Sequence, residues 1–178
     1  MRAYLPWKAS PPCGNASQTA AHVRGARSSS SSATQRAPRT CAAVWDALPQ
    51  GGHAFHGKYA RNEVYTLVES FADPEPGLEN TTITPIAGDV CAFWFSAEEL
   101  GSASHGYGPE RRPRAGARIV DLALFYERNN LLLNPDVGWV PGTVFATIES
   151  GLDEMAAACQ DMWLNGVAGE RLTFDRAS

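Results

Sequence analysis

The sequence contains an uninterrupted apolar run, Val90 to Phe95, which limits the possible folds more than any other segment does. Its residues alternate too little between apolar and polar types to form a strand with one face in water. A run of this length is typical of a strand that is covered on both faces or that forms one wall of a barrel. The segment from Ile119 to Tyr126 predicts a second central strand. The sequence therefore favours a mainly β fold organised around these two strands.

Further strands are predicted before and after this pair along the chain. The segment HAFHGKYARNEVYTLV, residues 53 to 68, contains two short strands separated by a turn at Gly57-Lys58. Its Val, Leu and Tyr residues favour a pleated surface. The segment from Thr143 to Ile148 predicts another strand, and Glu170 to Phe174 predicts a final short one.

Two helices are predicted to accompany the strands. Pro38 can occupy the first position of a short helix. A longer helix is expected from Gly151 to Asn165, with Ser150 as its cap. Its predicted buried stripe consists of apolar residues at helical spacing: Leu152, Met155, Ala156, Cys159 and Trp163. One further helical turn is expected where Ser96 and Glu99 have the spacing of a capping box.

The first 36 residues differ from the rest in composition. They contain a run of serines, Ser28 to Ser32, and no repeated apolar period. We predict a disordered tail over residues 1–36, because too little apolar surface is available to offset the entropy lost on ordering. A flexible tail, a misread start and an organelle leader are the alternatives for its origin. The folded domain is expected to span residues 37–178.

Charge and cysteine usage limit the classes of partner. Residues 1 to 40 carry six basic residues and no acid, which leaves nine basic and 19 acidic residues for the remainder, a net charge of −10. This net negative charge repels a phosphate backbone, so nucleic-acid binding is disfavoured. No run approaches the ~18 apolar residues of a membrane-spanning helix. The four cysteines lie far apart, without histidines at metal-ligand spacing. We therefore predict a reduced, cytoplasmic protein with no membrane partner, no metal and no cofactor.

Five spaced motifs resemble an uncharacterised bacterial family with a cyclophilin-like β-barrel. The motifs are APRTCAAVWDALP, AFHGKYARNEVYTLV, TPIAGDVCAFWF, VDLALFYERNNLLLN and GWVPGTVFATI, within residues 37 to 174. The resemblance implies a closed antiparallel barrel with a pocket on one side, capped by a short helix near residue 38 and a longer helix near residue 151. Members of that family normally begin with one or two strands before the first helix. Here the predicted tail occupies that space, which would leave an unpaired edge.

Prolyl isomerase activity is not expected from this resemblance. True cyclophilins use an arginine just after a Phe-His step, whereas Phe55-His56 is followed here by Gly57-Lys58. Arg61 lies three residues further on, and it is no simple substitute for a planar guanidinium that must be aimed from a fixed position.

His56 and Glu63 are the predicted catalytic residues. A histidine can act as an acid or a base near neutral pH, and Glu63 could orient it. Strand alternation places Glu63 and Tyr65 on one face, and burial of that face would raise the pKa of the carboxyl. In the competing interpretation, Glu63 binds loop amides and His56 satisfies a carbonyl group.

Six residues are predicted to bind substrate: Tyr65, Trp94, Tyr126, Asn129, Asn130 and Trp139. The two asparagines can donate and accept hydrogen bonds, which suits a carboxylate or an amide, and turn formation is their alternative role. The two tryptophans either wall a pocket or fill the core. His105 and Tyr107, in the long Gly- and Pro-rich loop from 101 to 116, are candidates for a lid.

Two classes of function follow from these observations. The first is an enzyme or binding protein for a small polar metabolite, such as an amino acid, a 2-oxo acid or a cyclic amide, held in the barrel pocket. Some opine-forming cyclases look like relatives of the family, which favours this class. The second is a non-catalytic interaction module that associates with itself, for instance as a homodimer. The sequence does not decide between an enzyme and a binding protein.

Overall fold

The computed structural model describes residues 3–8, 18–24, 35–100, 116–167 and 169–176. Within these residues the protein has a mainly β fold. Its strands are β1 (Ala3–Lys8), β2 (Gln18–Arg24), β3 (Gln50–His53), β4 (Phe55–His56), β5 (Glu63–Glu69), β6 (Thr81–Thr82), β7 (Asp89–Ser96), β8 (Arg118–Phe125), β9 (Leu133–Asn134), β10 (Gly138–Trp139), β11 (Gly142–Ser150) and β12 (Arg171–Arg176). Its helices are α1 (Pro38–Ala47), α2 (Ala97–Leu100) and α3 (Leu152–Asn165).

Ten of the strands form one sheet, in the order β3, β12, β1, β2, β11, β7, β8, β5 and β4, with β6 paired to β11 outside this path. Every pairing is antiparallel. β9 and β10 form a separate hairpin. The central strands β7 and β8 coincide with the two strands that the sequence places at the centre.

The sheet is open, so the predicted closed barrel is wrong. It is strongly curled nevertheless, because β3 at one end lies against β5 near the other. A Cβ added at Gly52 in β3 would lie 3.0 Å from the hydroxyl oxygen of Thr66 in β5. β3 pairs with β12, and β4 pairs with Val64 and Tyr65 of β5, but among the described residues no pairing joins β3 to β5. The coarser prediction, a mainly β fold, is confirmed.

Two strands lie within residues 1–36, which differs from the predicted disordered tail. β1 pairs with β12 and with β2, and β2 pairs with β11. The two strands thereby cover edges of β11 and β12 that would otherwise be unpaired. Their pairing depends on those distant edges, which is why the local sequence does not predict it. Residues 1–2, 9–17 and 25–34 of the predicted tail lie outside the described residues.

The sheet separates two groups of apolar side chains. The larger core lies on the face where α1 and α3 pack, and it includes Val64, Leu122 and Leu124. Smaller clusters on the opposite face include Phe93 and Phe125. Residues of β8 contribute to both groups, and from Ile119 to Phe125 every residue of this strand is buried. The strand is therefore covered on both faces.

α3 differs from its predicted form at its start and along its buried face. It follows Gly151, which has a φ of +75° and makes no side-chain cap, so the predicted Ser150 cap is wrong. Its buried residues are Met155, Cys159 and Met162. Trp163, predicted in the buried stripe, is 58% exposed. Leu152 and Ala156 are partly buried and pack against the larger core, so the predicted stripe differs only at its end, where Met162 is buried in place of Trp163.

Candidate functional site

A cavity of about 110 Å³ opens on the face of the sheet opposite the larger core. Glu63 and Tyr65 of β5, Phe93 and Phe95 of β7, and Asp121 of β8 line it. The sheet register explains this grouping, because Phe93 pairs with Asp121 and paired residues of antiparallel strands share a face. The other walls come from the β4–β5 turn and from the segment 132–140 that contains the β9–β10 hairpin. We call this cavity the carboxyl pocket.

The carboxyl groups of Glu63 and Asp121 are the distinctive chemical feature of this pocket. Each residue is 8% exposed. Burial raises the pKa of Glu63 to about 8. Burial also raises the pKa of Asp121, and the nearby charge of Glu63 raises it further. The Oδ1 atom of Asp121 is buried without a hydrogen-bond partner in the described part of the chain. Burial therefore favours the protonated form of both carboxyls, and the pKa near 8 leaves Glu63 mostly protonated at neutral pH.

Gly57 makes room for the carboxyl of Glu63. Its N–H donates a hydrogen bond of 2.8 Å to the carbonyl oxygen of Glu63, which brings the two backbones side by side. A Cβ at Gly57 would lie 2.6 Å from Oε2 of Glu63 and 2.9 Å from its Cβ. Any side chain at this position would push the carboxyl out of its place. Lys58 and Tyr59 follow directly and line the same pocket.

His56 lies on the other face of the sheet. It pairs with Val64, whereas Phe55 pairs with Tyr65. Successive residues of a strand point to opposite faces, so His56 shares a face with Val64 and not with Glu63. The stacked rings of Phe55 and Tyr65, with centroids 5.4 Å apart, lie on the Glu63 face. The structure therefore does not bring the predicted catalytic residues together, because the sheet itself stands between them.

The partners of His56 form a small network beside α3. Its Nδ1–H donates to the carbonyl oxygen of Gly57 at 3.0 Å. The hydroxyl of Tyr126 therefore donates to Nε2, at 2.7 Å. The ring of Trp163 lies 5.0 Å away, centroid to centroid. Burial lowers the pKa of His56 and the hydrogen bond to Gly57 opposes this, while burial raises the pKa of Tyr126 to about 12. The network keeps both side chains neutral.

Asn130 has structural partners at the end of β8, and Asn129 adopts a turn conformation beside it. Oδ1 of Asn130 accepts a hydrogen bond from the N–H of Asn62 at 3.0 Å. Its Nδ2 donates to the carbonyl oxygens of Pro85 and Glu127, at 2.9 and 2.6 Å. Asn129 has a φ of +66°, a backbone conformation that asparagine tolerates in turns. Turn formation accounts for these contacts of Asn130 and for the backbone of Asn129, and ligand binding by either residue stays a prediction.

Trp94 and Trp139 line a second cavity, of about 350 Å³, next to the carboxyl pocket. Trp94 is half-buried, whereas Trp139 is 57% exposed. Of the predicted site residues, Glu63 and Tyr65 line the carboxyl pocket itself. The candidate lid residues His105 and Tyr107 lie outside the described residues.

Sequence reasoning missed Asp121. A signal was present, because Asp121 is the one acidic residue within the otherwise apolar segment from Ile119 to Tyr126. Carboxyls are rarely buried unless they have a partner or a function. An acid in the middle of a central strand therefore marks a candidate site.

Thiol chemistry has little support at the described cysteines. Cys41, Cys91 and Cys159 are buried. Burial raises the pKa of Cys41 to about 11 and that of Cys159 to about 12, which keeps both thiols protonated and poorly nucleophilic. Groups of three or more His, Cys, Asp or Glu residues that could hold a metal ion are absent from the part of the chain that is described. Within that part, no helix is long and apolar enough to cross a membrane.

Comparisons with known proteins place the chain in a family. The family model described as "Protein of unknown function (DUF3830)" matches residues 19–174. The chain belongs to this family. The matched part of the DUF3830 chain begins within β2, so it includes a strand from the segment predicted as a tail. No curated protein matches the sequence.

A solved structure described as McbB in complex with tryptophan is similar to the DUF3830 chain. The TM-score is 0.58 and the sequence identity is 13%. The match covers 99% of this chain and 45% of that one, so the chain spans less than half the length of the solved structure. At this identity the likeness shows a shared fold and nothing about activity.

Proposed function

We propose that the carboxyl pocket binds the amino group of a small amino compound, an amino acid in particular, and exchanges a proton with it. The observation that carries the proposal is the pair of buried carboxyls, Glu63 and Asp121, facing a cavity with aromatic walls. A proton held on one of these oxygens can pass to the nitrogen of an incoming amine. The result is an ammonium next to a carboxylate, whose attraction offsets the penalty of burying the negative charge.

The remaining lining suits the other parts of an amino acid. The rings of Tyr65 and Phe93 offer apolar contact and attraction for a cation. Lys58 lines the same pocket and brings a positive charge near a ligand carboxylate. The volume of about 110 Å³ resembles the ~150 Å³ cavity known to hold a benzene molecule. The pocket therefore has room for one ring or a short chain.

Two further considerations favour an amino compound over the other metabolite classes. The fold likeness to a structure solved with tryptophan makes an amino acid a reasonable first ligand to test. A 2-oxo acid brings a carboxylate without an amine, and it would be repelled once either carboxyl of the pocket ionises. A cyclic amide remains compatible, because a protonated carboxyl can donate to its carbonyl oxygen.

The same pair of carboxyls would serve an enzyme as acid and base. A carboxyl with a pKa near 8, as for Glu63, holds its proton at neutral pH and can still release it. We propose the cytoplasm as the site of action, where buried thiols stay reduced. We propose no prolyl isomerase activity, because Gly57-Lys58 stands where cyclophilins have their arginine.

A thermal-melt screen tests this function. We expect amino acids and simple amines to raise the melting temperature, because a ligand that binds the native state stabilises it. Matched 2-oxo acids and a proline peptide should have little effect. The shift should disappear in Glu63→Gln and in Asp121→Asn. It should remain in the control Glu69→Gln, which alters an exposed acid on the same strand. An amine-induced shift that survives in both pocket variants would contradict the proposal.

A second candidate function is self-association, and an exposed apolar surface near the end of α3 favours it. Trp163 is 58% exposed, Leu164 is 69% exposed and Val167 is 39% exposed. Apolar side chains grouped in this way can mark a contact site. A homodimer through this surface should dissociate on dilution in analytical ultracentrifugation. Trp163→Ser with Leu164→Ser should abolish it, and a monomer at every concentration would exclude this alternative.

A further inference from the structure

The strand β7 extends beyond the end of its neighbour β11. The last pair between them joins Ala92 of β7 to Thr143 of β11, whereas β7 continues to Ser96. If the same register continued, Trp94 would lie opposite Pro141, and proline has no N–H with which to extend the pairing. Among the described residues, no strand pairs with this end of β7 on the side of β11.

The main chain of Trp94 points toward this unpaired edge. The N–H of Ala97 donates to the carbonyl oxygen of Ala117 at 2.9 Å, which continues the register between β7 and β8. In a sheet of antiparallel strands, residues that bond to one neighbouring strand alternate with residues that bond to the other. Counted back from Ala97, Ser96 and Trp94 therefore direct their N–H and C=O groups away from β8. The N–H of Ser96 accordingly donates to the carboxylate of Glu99, at 2.6 Å.

A cavity of about 350 Å³ runs along this edge, and we call it the edge cleft. Four consecutive residues of β7, from Ala92 to Phe95, line it. Successive side chains of a strand point to opposite faces, so a cavity bordered by all four residues lies beside the main chain. Its volume falls within the range of ~300–1,000 Å³ that is typical of ligand sites. The main-chain groups of Trp94 therefore face a space that a ligand can fill.

The walls of the edge cleft indicate which side chains a ligand can bring. Leu78 and Trp139 line it and are 67% and 57% exposed. Within the described ranges, its charged lining residues are Glu75 and Glu99, and no basic residue lines it. Glu75 is paired with Arg118 at 2.6 Å, whereas the N–H that Glu99 binds is neutral. The cleft therefore favours apolar and basic side chains and disfavours acidic ones.

We propose that the edge cleft binds a short extended peptide, which adds a strand to the unpaired end of β7. The residue opposite Trp94 exchanges two main-chain hydrogen bonds with it, as peptides do when they extend the edge of a sheet. Strands rise about 3.4 Å per residue, so a segment of about three residues covers this end. The partner carries apolar and basic side chains and has no proline at its centre. This site goes beyond the proposed function, because it needs no group of the carboxyl pocket.

The test uses the full-length protein labelled with ¹⁵N and the peptide acetyl-Arg-Leu-Arg-amide. Its acetyl group removes the terminal amine, and arginine is always charged. We expect the main-chain amide signal of Trp94 to move on binding and the amide to gain protection from hydrogen exchange. N-methylation of the central leucine removes the donor to the carbonyl of Trp94 and should weaken binding roughly fivefold or more, the effect of one lost hydrogen bond. Acetyl-Glu-Leu-Glu-amide should bind more weakly than the basic peptide.

Three variants locate the site. Trp139→Ala removes an apolar wall and should weaken the basic peptide roughly fivefold or more. Trp163→Ala is the matched control, because this tryptophan of α3 is exposed to the same extent. Glu63→Gln should bind the peptide as the wild type does while it loses the thermal shift caused by amines. Failure of the proposed function is thereby distinguished from failure of the peptide site.

Three outcomes overturn the peptide site. The first is a Trp94 amide signal that stays unmoved at millimolar peptide. The second is equal binding of the N-methylated and unmodified peptides. The third is a Trp94 amide that is already protected in the free protein, together with a dimer in analytical ultracentrifugation, because a second copy of the chain then occupies the edge.

Discussion

His56 is a histidine whose chemistry is set by three neighbours. The carbonyl oxygen of Gly57 fixes the proton on Nδ1, so Nε2 is left to accept from the hydroxyl of Tyr126. The ring of Trp163 covers it at 5.0 Å. Burial disfavours the charged imidazolium and lowers the pKa, so the ring is neutral at pH 7. Its role is to connect β4 with the end of β8 beneath α3.

Replacing Trp163 should expose His56 and raise its pKa towards the ordinary value. We expect the imidazole of Trp163→Ala to titrate at a higher pH than in the wild type, because water then reaches the charged form. The measurement is an NMR titration of the His56 ring protons. Leu164→Ala is the matched control on the same helix, since Leu164 is 69% exposed. An unchanged pKa in Trp163→Ala would show that other groups bury the ring.

The starts of α1 and α2 use two different sources of hydrogen-bond acceptors. At α2, Ser96 N–H donates to the carboxylate of Glu99 at 2.6 Å and Glu99 N–H donates to the hydroxyl of Ser96 at 3.3 Å, which is the predicted capping box. At α1, the buried Glu79, 39 residues along the chain, accepts from the N–H and hydroxyl of Thr40 at 2.8 and 2.9 Å. A distant carboxylate thus takes the place of a local cap.

The two caps should differ in their contribution to stability. We expect Glu79→Ala to lower the free energy of unfolding by roughly 2–4 kcal/mol, because it removes charge-assisted hydrogen bonds and leaves a buried hydroxyl without its partner. Ser96→Ala should cost about 0.5–1 kcal/mol, as expected for an exposed cap. Urea denaturation measures both. A loss for Glu79→Ala no larger than that for Ser96→Ala would mean that the helix does not depend on Glu79.

Across the whole molecule, the carboxyl pocket links folding to pH. The pKa of Glu63 rises from 4.5 in the unfolded chain to about 8 in the folded protein. The folded state therefore holds a proton that the unfolded state has already released, and stability must fall as the pH rises between these values. The raised pKa of Asp121 acts in the same direction. The two buried carboxyls that line the cavity therefore also lower the stability of the folded protein as the pH rises.

Removing the carboxyl of Glu63 should flatten this pH dependence. We expect the wild type to lose several kcal/mol of stability between pH 4.5 and pH 8, at about 1.4 kcal/mol for each unit by which the pKa is raised. Glu63→Gln should lose less over the same range, and Glu69→Gln should behave as the wild type does. The measurement is the free energy of unfolding in urea across that range. Parallel curves for wild type and Glu63→Gln would refute the assignment.

Features that depend on neighbouring residues could be predicted from the sequence. The central strands β7 and β8 follow from apolar and β-branched runs, α1 begins at Pro38 as its fixed backbone angle allows, and α2 follows its capping box. Glu63 and Tyr65 were placed on one strand face by alternation alone. These inferences succeed because the interactions that decide them lie within a few residues along the chain.

Features that depend on residues far apart in the chain could not be predicted from local sequence patterns. β1 pairs with the edge of β12 and β2 pairs with the edge of β11, and the sheet ends at β3 and β4 without a pairing between β3 and β5. The register of β4 against β5 puts His56 and Glu63 on opposite faces of the sheet. A shift of one residue in this register would put them on the same face. The register of β8 brings Asp121 to the face of Glu63. Local sequence patterns predict the central strands and the helices, whereas pairing across long chain separations sets which acidic side chains form a site.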